Sequence, residues 1–284
     1  MITVFSIPKA FAGDAATAQS NAIESWKRAA KSGEIIIFGD DPGAADICRK
    51  LDVRHEPRIA VSEAGTPLVS AAFDTAQKIA RGDILVYINA DIVLMPDFEA
   101  AVNKINLKSF LAVGRRTDMS IPRPLDFSDS AWAQKLMSDA RLKGRLHGYS
   151  GIDYFIFRRD FRHGMPPFAV GRPGWDNWLL YRAKETGVPI VDASAAILAV
   201  HQDHDLKHTG LNPSKRDVWP ESRKNFELAG LANMMSIRNA DLLLSADGIA
   251  RRGLTGRIFM SMLESRPGRA ILAARRKISM VINR

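Results

Sequence analysis

The sequence predicts an α/β fold with a mainly parallel central sheet, on three observations. Ile84-Leu85-Val86-Tyr87-Ile88 is apolar along its whole length, as a strand buried on both faces of such a sheet is. Strand-like runs alternate with helical ones from Thr3 to Val200, which calls for right-handed crossovers between parallel strands. The polar run Asn89-Ala90-Asp91 directly follows the apolar strand, at the carboxyl end where open α/β sheets bind their ligands. An Asp there, with no cationic neighbour in sequence, can hold a hard divalent cation through oxygen together with the phosphates of a nucleotide. The same Asn and Asp would equally serve a strand-end turn.

In chain order, Thr3–Ser6 reads as a first strand, and Asn21–Lys31 as a helix with Ile23, Trp26 and Ala30 at helical spacing. Glu34–Phe38 is a second strand, closed by the turn Gly39-Asp40-Asp41-Pro42-Gly43. Ala44–Leu51 is helical and Arg54–Val61 carries a weak strand signal. Thr66–Ala80 reads as an amphipathic helix with Pro67 at its first position, ended by Gly82. After the strand Ile84–Ile88 come the strand Phe110–Val113, the irregular Ile121–Phe127 and the helix Ala131–Lys143. The strand Asp153–Phe157, the loop Pro166–Gly174 and the helix Trp178–Thr186 follow. Ile190–Asp192 and Ala196–Val200 are strands, His201–His208 is polar, and Glu221–Ala229 and the tail read as helices. No internal repeat or low-complexity linker is visible.

The chain of 284 residues, 46% of them apolar, suffices for one large domain or two small ones. Cys48 is the single cysteine, so no intrachain disulfide forms, and its place in Ala44–Leu51 predicts burial. Met1–Phe11 does not have the pattern of a signal peptide, and no apolar run reaches the roughly 18–20 residues that span a bilayer. A cytoplasmic protein is expected. The net charge of +9 is concentrated at the end: residues 249–284 hold nine basic residues against one acid, Glu264, leaving the rest of the chain almost neutral.

The order of these motifs resembles that of GT-A-type glycosyltransferases of the family 2-like group, over about residues 1–210. Ile35-Ile36-Ile37-Phe38-Gly39-Asp40-Asp41 matches the family's strand and acidic turn. Ala64-Gly65-Thr66-Pro67 opens its loop and helix, and Tyr87-Ile88-Asn89-Ala90-Asp91 stands where it carries a DxD-type motif, with Asn89 replacing an Asp. Gly151 through Arg159 resembles the strand before the acceptor-side loop, and Gly174-Trp175-Asp176-Asn177-Trp178 the family's acidic helix start. His201-Gln202-Asp203-His204-Asp205 stands where the family places a final metal-binding His.

The resemblance implies a single GT-A (Rossmann-like) domain over 1–210, with a helical, basic extension over 211–284. It implies a metal-dependent transfer of sugar from a nucleoside diphosphate, UDP ahead of GDP, to a glycan or lipid-linked glycan acceptor, as in bacterial envelope polysaccharide synthesis. Mn²⁺ or Mg²⁺ would be held by Asp91, His201 and His204. Pro8, Asp40, Asp41, Gly65, Thr66, Asn89, Ala90, Asp91 and Arg115 would contact the nucleotide sugar. Asp153, Trp175 and Asn177 would contact the acceptor, and Asp176 would deprotonate its hydroxyl, giving inversion. A retaining transfer needs no such base. Arg116 and Arg172 are further candidates for phosphate or acceptor contacts. Trp178 would offer a face to a sugar or fill the core.

In the tail, Ile258, Phe259, Met262, Ile271, Leu272, Ile278, Met280, Val281 and Ile282 interleave with the basic residues. Such a segment suits the anionic inner face of the plasma membrane, or packing on the domain. With Phe259 its lone aromatic, no nucleic-acid partner is expected. A sugar-nucleotide nucleotidyltransferase is the competing enzyme, but Ser6–Phe11 has no Gly-rich phosphate loop. A zinc hydrolase has no HExxH or CxxC motif here. A non-catalytic binding module would leave the ordered acidic motifs unexplained.

Overall fold

The structure is a computed structural model that describes residues 1–203, 219–253 and 274. His204 and the tail from 254, apart from position 274, lie outside the described residues, as do 211–218. The order is β1 (Ile2–Ser6), α1 (Gly13–Ala29), β2 (Glu34–Phe38), α2 (Ala44–Leu51), β3 (Arg54–Glu56), α3 (Val69–Ile79) and β4 (Ile84–Ile88). Then come β5 (Ile92–Leu94), α4 (Phe98–Asn103), β6 (Leu111–Val113), β7 (Arg116–Met119), α5 (Trp132–Lys143), β8 (Arg145–Leu146) and β9 (Tyr154–Arg158). The last are α6 (Trp175–Glu185), β10 (Ile190–Asp192), β11 (Ala199–Gln202), α7 (Pro220–Ala229), β12 (Leu242–Ser245) and β13 (Gly248–Arg251).

Among the described residues, nine strands form the main sheet in the order β13-β12-β10-β6-β9-β4-β1-β2-β3. The neighbours β4-β1-β2-β3 and β6-β10-β12 are parallel, while β9 runs antiparallel between β4 and β6. This reversal sets Tyr154, the first residue of β9, opposite Ile88, the last of β4, so Asp153 meets Asn89 at the end of the two strands.

The apolar strands are buried on both faces, as their composition requires. In β4, Leu85 and Tyr87 face one core with α3 and α6, while Val86 and Ile88 face the other with α1 and α4. The first core is aromatic: Phe73 stacks on Phe157 at 5.2 Å, and Tyr87 meets Trp175 edge-on at 5.2 Å. Edge-on and offset contacts suit the ring quadrupoles. Trp178 is buried in this core, and Cys48 is buried against the other, its thiol pKa pushed up to about 11 by burial. Gly114 is needed for close approach, because a Cβ there would lie 1.8 Å from the Tyr154 hydroxyl oxygen.

A second sheet, β5-β11-β7-β8, pairs β11 antiparallel with β5 and parallel with β7. The polar face of α1 fastens it. Trp26 Nε1 donates to Ile92 O at 2.8 Å, Leu94 N donates to Ser25 Oγ at 3.0 Å, and Asn21 Nδ2 donates to Gln202 Oε1 at 2.9 Å. These groups are buried, and burial without such bonds would cost about 1–3 kcal/mol per group. The helix begins at Gly13, eight residues before the expected Asn21; its first turn is exposed or half-buried and carries no apolar periodicity.

Three further expectations are corrected. The helix expected from Thr66 begins at Val69, because Pro67 is bridged to Val61. The helix expected from Trp178 begins at Trp175. In the extension expected to be helical, only α7 is a long helix among the described residues, and β12 and β13 extend the main sheet. Leu242-Leu243-Leu244 gains a parallel partner in β10, a pairing across fifty residues that local pattern does not reveal.

Candidate active site

A cleft of about 890 Å³ opens at the carboxyl ends of β1 and β4. Pro8, Asp41, Gly65, Thr66, Asn89, Ala90, Asp91, Asp153, Trp175, Asp176, Asn177 and His201 all line it. Two expected residues do not. Asp40 is exposed past the turn at Gly39, whose φ is 96°, leaving Asp41 to face inward. Burial, with the neighbouring Asp40 charge, raises the Asp41 carboxyl above its ordinary 3.8. Arg115 turns away: its guanidinium lies 4.4 Å from the Tyr149 ring centre and its Nε donates to His147 O at 2.7 Å. Arg116 lines the cleft instead, since successive residues entering β7 point to opposite faces.

The acidic motif is built by strand register. Gln202 N and Nε2 donate to the Asp91 carbonyl at 3.2 and 3.1 Å, leaving the carboxylate out of this backbone anchorage. His201 pairs with Ile92 across β5 and with Asp118 across β7, so its ring lies between two acids. His201 Nε2 is 3.7 Å from Asp91 Oδ2, and Nδ1 is 3.3 Å from Asp118 Oδ1. Asp203 Oδ1 is 3.9 Å from the same Nδ1. Asp118, His201 and Asp203 also offer three ligand atoms within 4.8 Å of one another.

Asn89 and Asp153 act on each other. Asn89 N donates to Asp153 O at 2.8 Å, and its side-chain amide donates to Asp153 Oδ1 at 2.5 Å. Arg116 Nη1 takes the other oxygen of Asp153 at 2.5 Å, while its Nε donates to Asp118 Oδ1 at 2.8 Å. Asp153, expected at the acceptor, therefore spends both oxygens holding Asn89 and Arg116. Burial alone would lower the Arg116 pKa, but Asp153 and Asp118 outweigh it and raise it. Burial would likewise raise Asp118, but its bonds to His147 and Arg116 hold it below the usual carboxylate range.

Asp176 stands in the first turn of α6, where the helix dipole favours the anion. Gly174, at φ 107°, makes the turn into this helix, with the Phe226 ring 3.3 Å from where a Cβ would sit. Trp175 is 5% exposed and packs into the aromatic core, so it reaches the cleft only by an edge of its surface. Asn177 donates to Ser150 O and Met235 O at 3.2 and 2.7 Å, which commits its amide donors to holding the neighbouring loop.

Several lining or supporting groups were not singled out from the sequence. Gln19 brackets the loop after β1, accepting from Lys9 N at 2.8 Å and donating to Lys9 O at 2.9 Å. His147 and Asp118 belong to the wall carrying Arg116; the alternation Arg116-Thr117-Asp118-Met119 was the available strand signal. Glu221 closes the far side. It accepts from Ser62 Oγ at 2.7 Å, Thr66 Oγ1 at 2.8 Å and Arg172 Nη2 at 2.8 Å, and the Arg172 guanidinium lies 5.3 Å from the Trp219 ring centre. Burial opposes its charge, but these donors prevail and hold Glu221 below its ordinary 4.5. Its contribution to stability is therefore fully present above pH 4.5 and fades as pH falls through the folded-state value. Thermal melting of the native protein should fall more steeply below pH 4.5 than that of Glu221→Gln; parallel slopes would remove this linkage.

No protein-family model matches the sequence, and no curated protein matches it. Solved structures do. S. aureus TarS 1-349 in complex with UDP-GlcNAc aligns with a TM-score of 0.51 at 13% identity, over 81% of this chain and 65% of that one. The chain thus spans less than two thirds of that TarS structure. Glucosyl-3-phosphoglycerate synthase from Mycobacterium tuberculosis, in complex with Mg²⁺ and UDP, aligns at 15% identity with a TM-score of 0.47, over 82% and 79%. The fold expected from the motif order is present: this chain shares the GT-A-type α/β architecture of the TarS structure.

Proposed function

We propose that the chain is a metal-dependent glycosyltransferase that moves a sugar from a nucleoside-diphosphate sugar to an acceptor hydroxyl. The observation that carries this reading is the convergence of Asp41, Asp91, His201 and Asp176 on one cleft at the strand ends of this fold. UDP is the preferred nucleotide, in line with the UDP-GlcNAc complex of TarS.

Asp91 and His201 fit a divalent cation. Two ligand atoms each about 2.1 Å from one ion can lie up to about 4 Å apart, and Asp91 Oδ2 and His201 Nε2 are 3.7 Å apart. The carboxylate suits Mn²⁺ or Mg²⁺, and the imidazole, which prefers softer metals, makes Mn²⁺ the better fit of the two. When bound, such an ion would offset the charge that develops on the departing diphosphate. Pro8, Gly65 and Thr66 shape the nucleotide side, where Asp41 would accept a hydrogen bond from base or ribose. Asn89 and Ala90, which line the same cleft, would lie under the diphosphate.

On the other side, Asp176 would take the proton of the acceptor hydroxyl as that oxygen attacks the anomeric carbon, which inverts its configuration. Asn177 and the edge of Trp175 bound the acceptor's space. Among the described residues no helix is long and apolar enough to cross a membrane. The basic tail, outside the described residues, would bring the enzyme to the inner face of the plasma membrane, where lipid-linked acceptors of envelope polysaccharides are found.

The test is calorimetric titration with UDP and with GDP, each with and without Mn²⁺. UDP binding strengthened by Mn²⁺ is expected. Failure of both nucleotides to bind, with or without metal, would reject the reading.

A further inference from the structure

We propose that Asp118 is a positioning residue that fixes the tautomer of His201, so that His201 presents Nε2 as a cation ligand beside Asp91. This rests on the cation site proposed above and assigns the wall behind it. Asp118 is 4% exposed on β7, and parallel pairing of β7 with β11 sets it directly across from His201.

A carboxylate offers about four lone-pair directions; three donors bond this one, and the His201 ring nitrogen lies close to it without a hydrogen bond. Arg116 Nε at 2.8 Å and His201 Nδ1 at 3.3 Å stand at Oδ1; His147 Nδ1 at 2.8 Å and Arg145 Nη2 at 3.2 Å stand at Oδ2. A cation bound directly to Asp118 would sit against the Arg116 charge, 2.8 Å from Oδ1. The grouping of Asp118, His201 and Asp203 is therefore not itself the ion's seat, although its ligand atoms are close enough to be one.

Asp118 can instead act through the ring. A carboxylate at one nitrogen of a ligating histidine draws the ring proton there and leaves the other nitrogen as the ligand. The nitrogen nearer an acid is Nδ1, at 3.3 Å from Asp118, against 3.7 Å from Nε2 to Asp91. With the proton on Nδ1, the Nε2 lone pair faces the Asp91 carboxylate. That pairing of two electron-rich atoms is unfavourable alone and favourable around a cation.

The first measurement is ¹⁵N NMR of the histidine rings in the full-length, metal-free protein at alkaline pH, where the neutral ring reports its tautomer; His201→Ala identifies the signal. The proton is expected on Nδ1, and a proton on Nε2 would overturn the proposal. The second is Mn²⁺ affinity in the presence of UDP, read by calorimetry. Asp118→Asn, which keeps the shape, should weaken Mn²⁺ by about 10–100-fold and leave metal-free UDP binding unchanged. Native Mn²⁺ affinity in Asp118→Asn, with His201→Ala impaired, would overturn the proposal and leave the cation site standing. Native affinity in His201→Ala as well would overturn both.

Discussion

Asp176→Asn is expected to bind UDP and Mn²⁺ as the native protein does and to lose sugar transfer. The substitution keeps the shape at the start of α6 and removes the negative charge that would accept the proton. General-base catalysis contributes about 10²–10⁴-fold, so turnover should fall within that range. Loss of the anion from the helix's first turn costs about 0.3–1 kcal/mol, too little to unfold a domain of this size. Single-turnover assay of donor consumption, beside calorimetry of UDP binding, separates the two effects. Undiminished turnover would remove Asp176 as the base and turn attention to a retaining transfer.

Asp91→Ala should act on the opposite half of the reaction. Mn²⁺ should no longer strengthen UDP binding, a loss exceeding the roughly 10–100-fold seen when groups behind a metal ligand are changed. The fold should survive, because the contacts from Gln202 go to the Asp91 carbonyl, which the substitution keeps. Calorimetry of UDP with increasing Mn²⁺ measures this, with thermal melting as the control. A variant whose UDP affinity still rises with Mn²⁺ as in the native protein would move the cation elsewhere in the cleft. The two substitutions together divide the cleft into a half that binds donor and a half that activates acceptor.

Much of the architecture was legible because burial on two faces leaves a plain mark. Glu34–Phe38, Ile84–Ile88, Ile190–Asp192 and the helix Ala44–Leu51 lie where the sequence put them, the strands apolar but for an acid at the end of two and the helix amphipathic. The strand ends bring Asp41, Asn89 and Asp91 to the cleft. Two of the failures share one cause. The short β12 and the choice of Arg116 over Arg115 each depend on a partner far away in the chain. β10 pairs with β12, and Asp153 captures Arg116.

By itself the sequence determined the α/β class, the strands that carry the site and the chemical types at their ends, since periodicity and turn chemistry are local properties. Only the tertiary structure decided which acids share a space. Asp91, Asp118 and His201 come together through the register of β5, β11 and β7, and Asp153 reaches Asn89 because β9 runs against its neighbours. Register and strand direction are fixed by crossovers and by core packing on both sheet faces, and these relate residues that no local pattern connects.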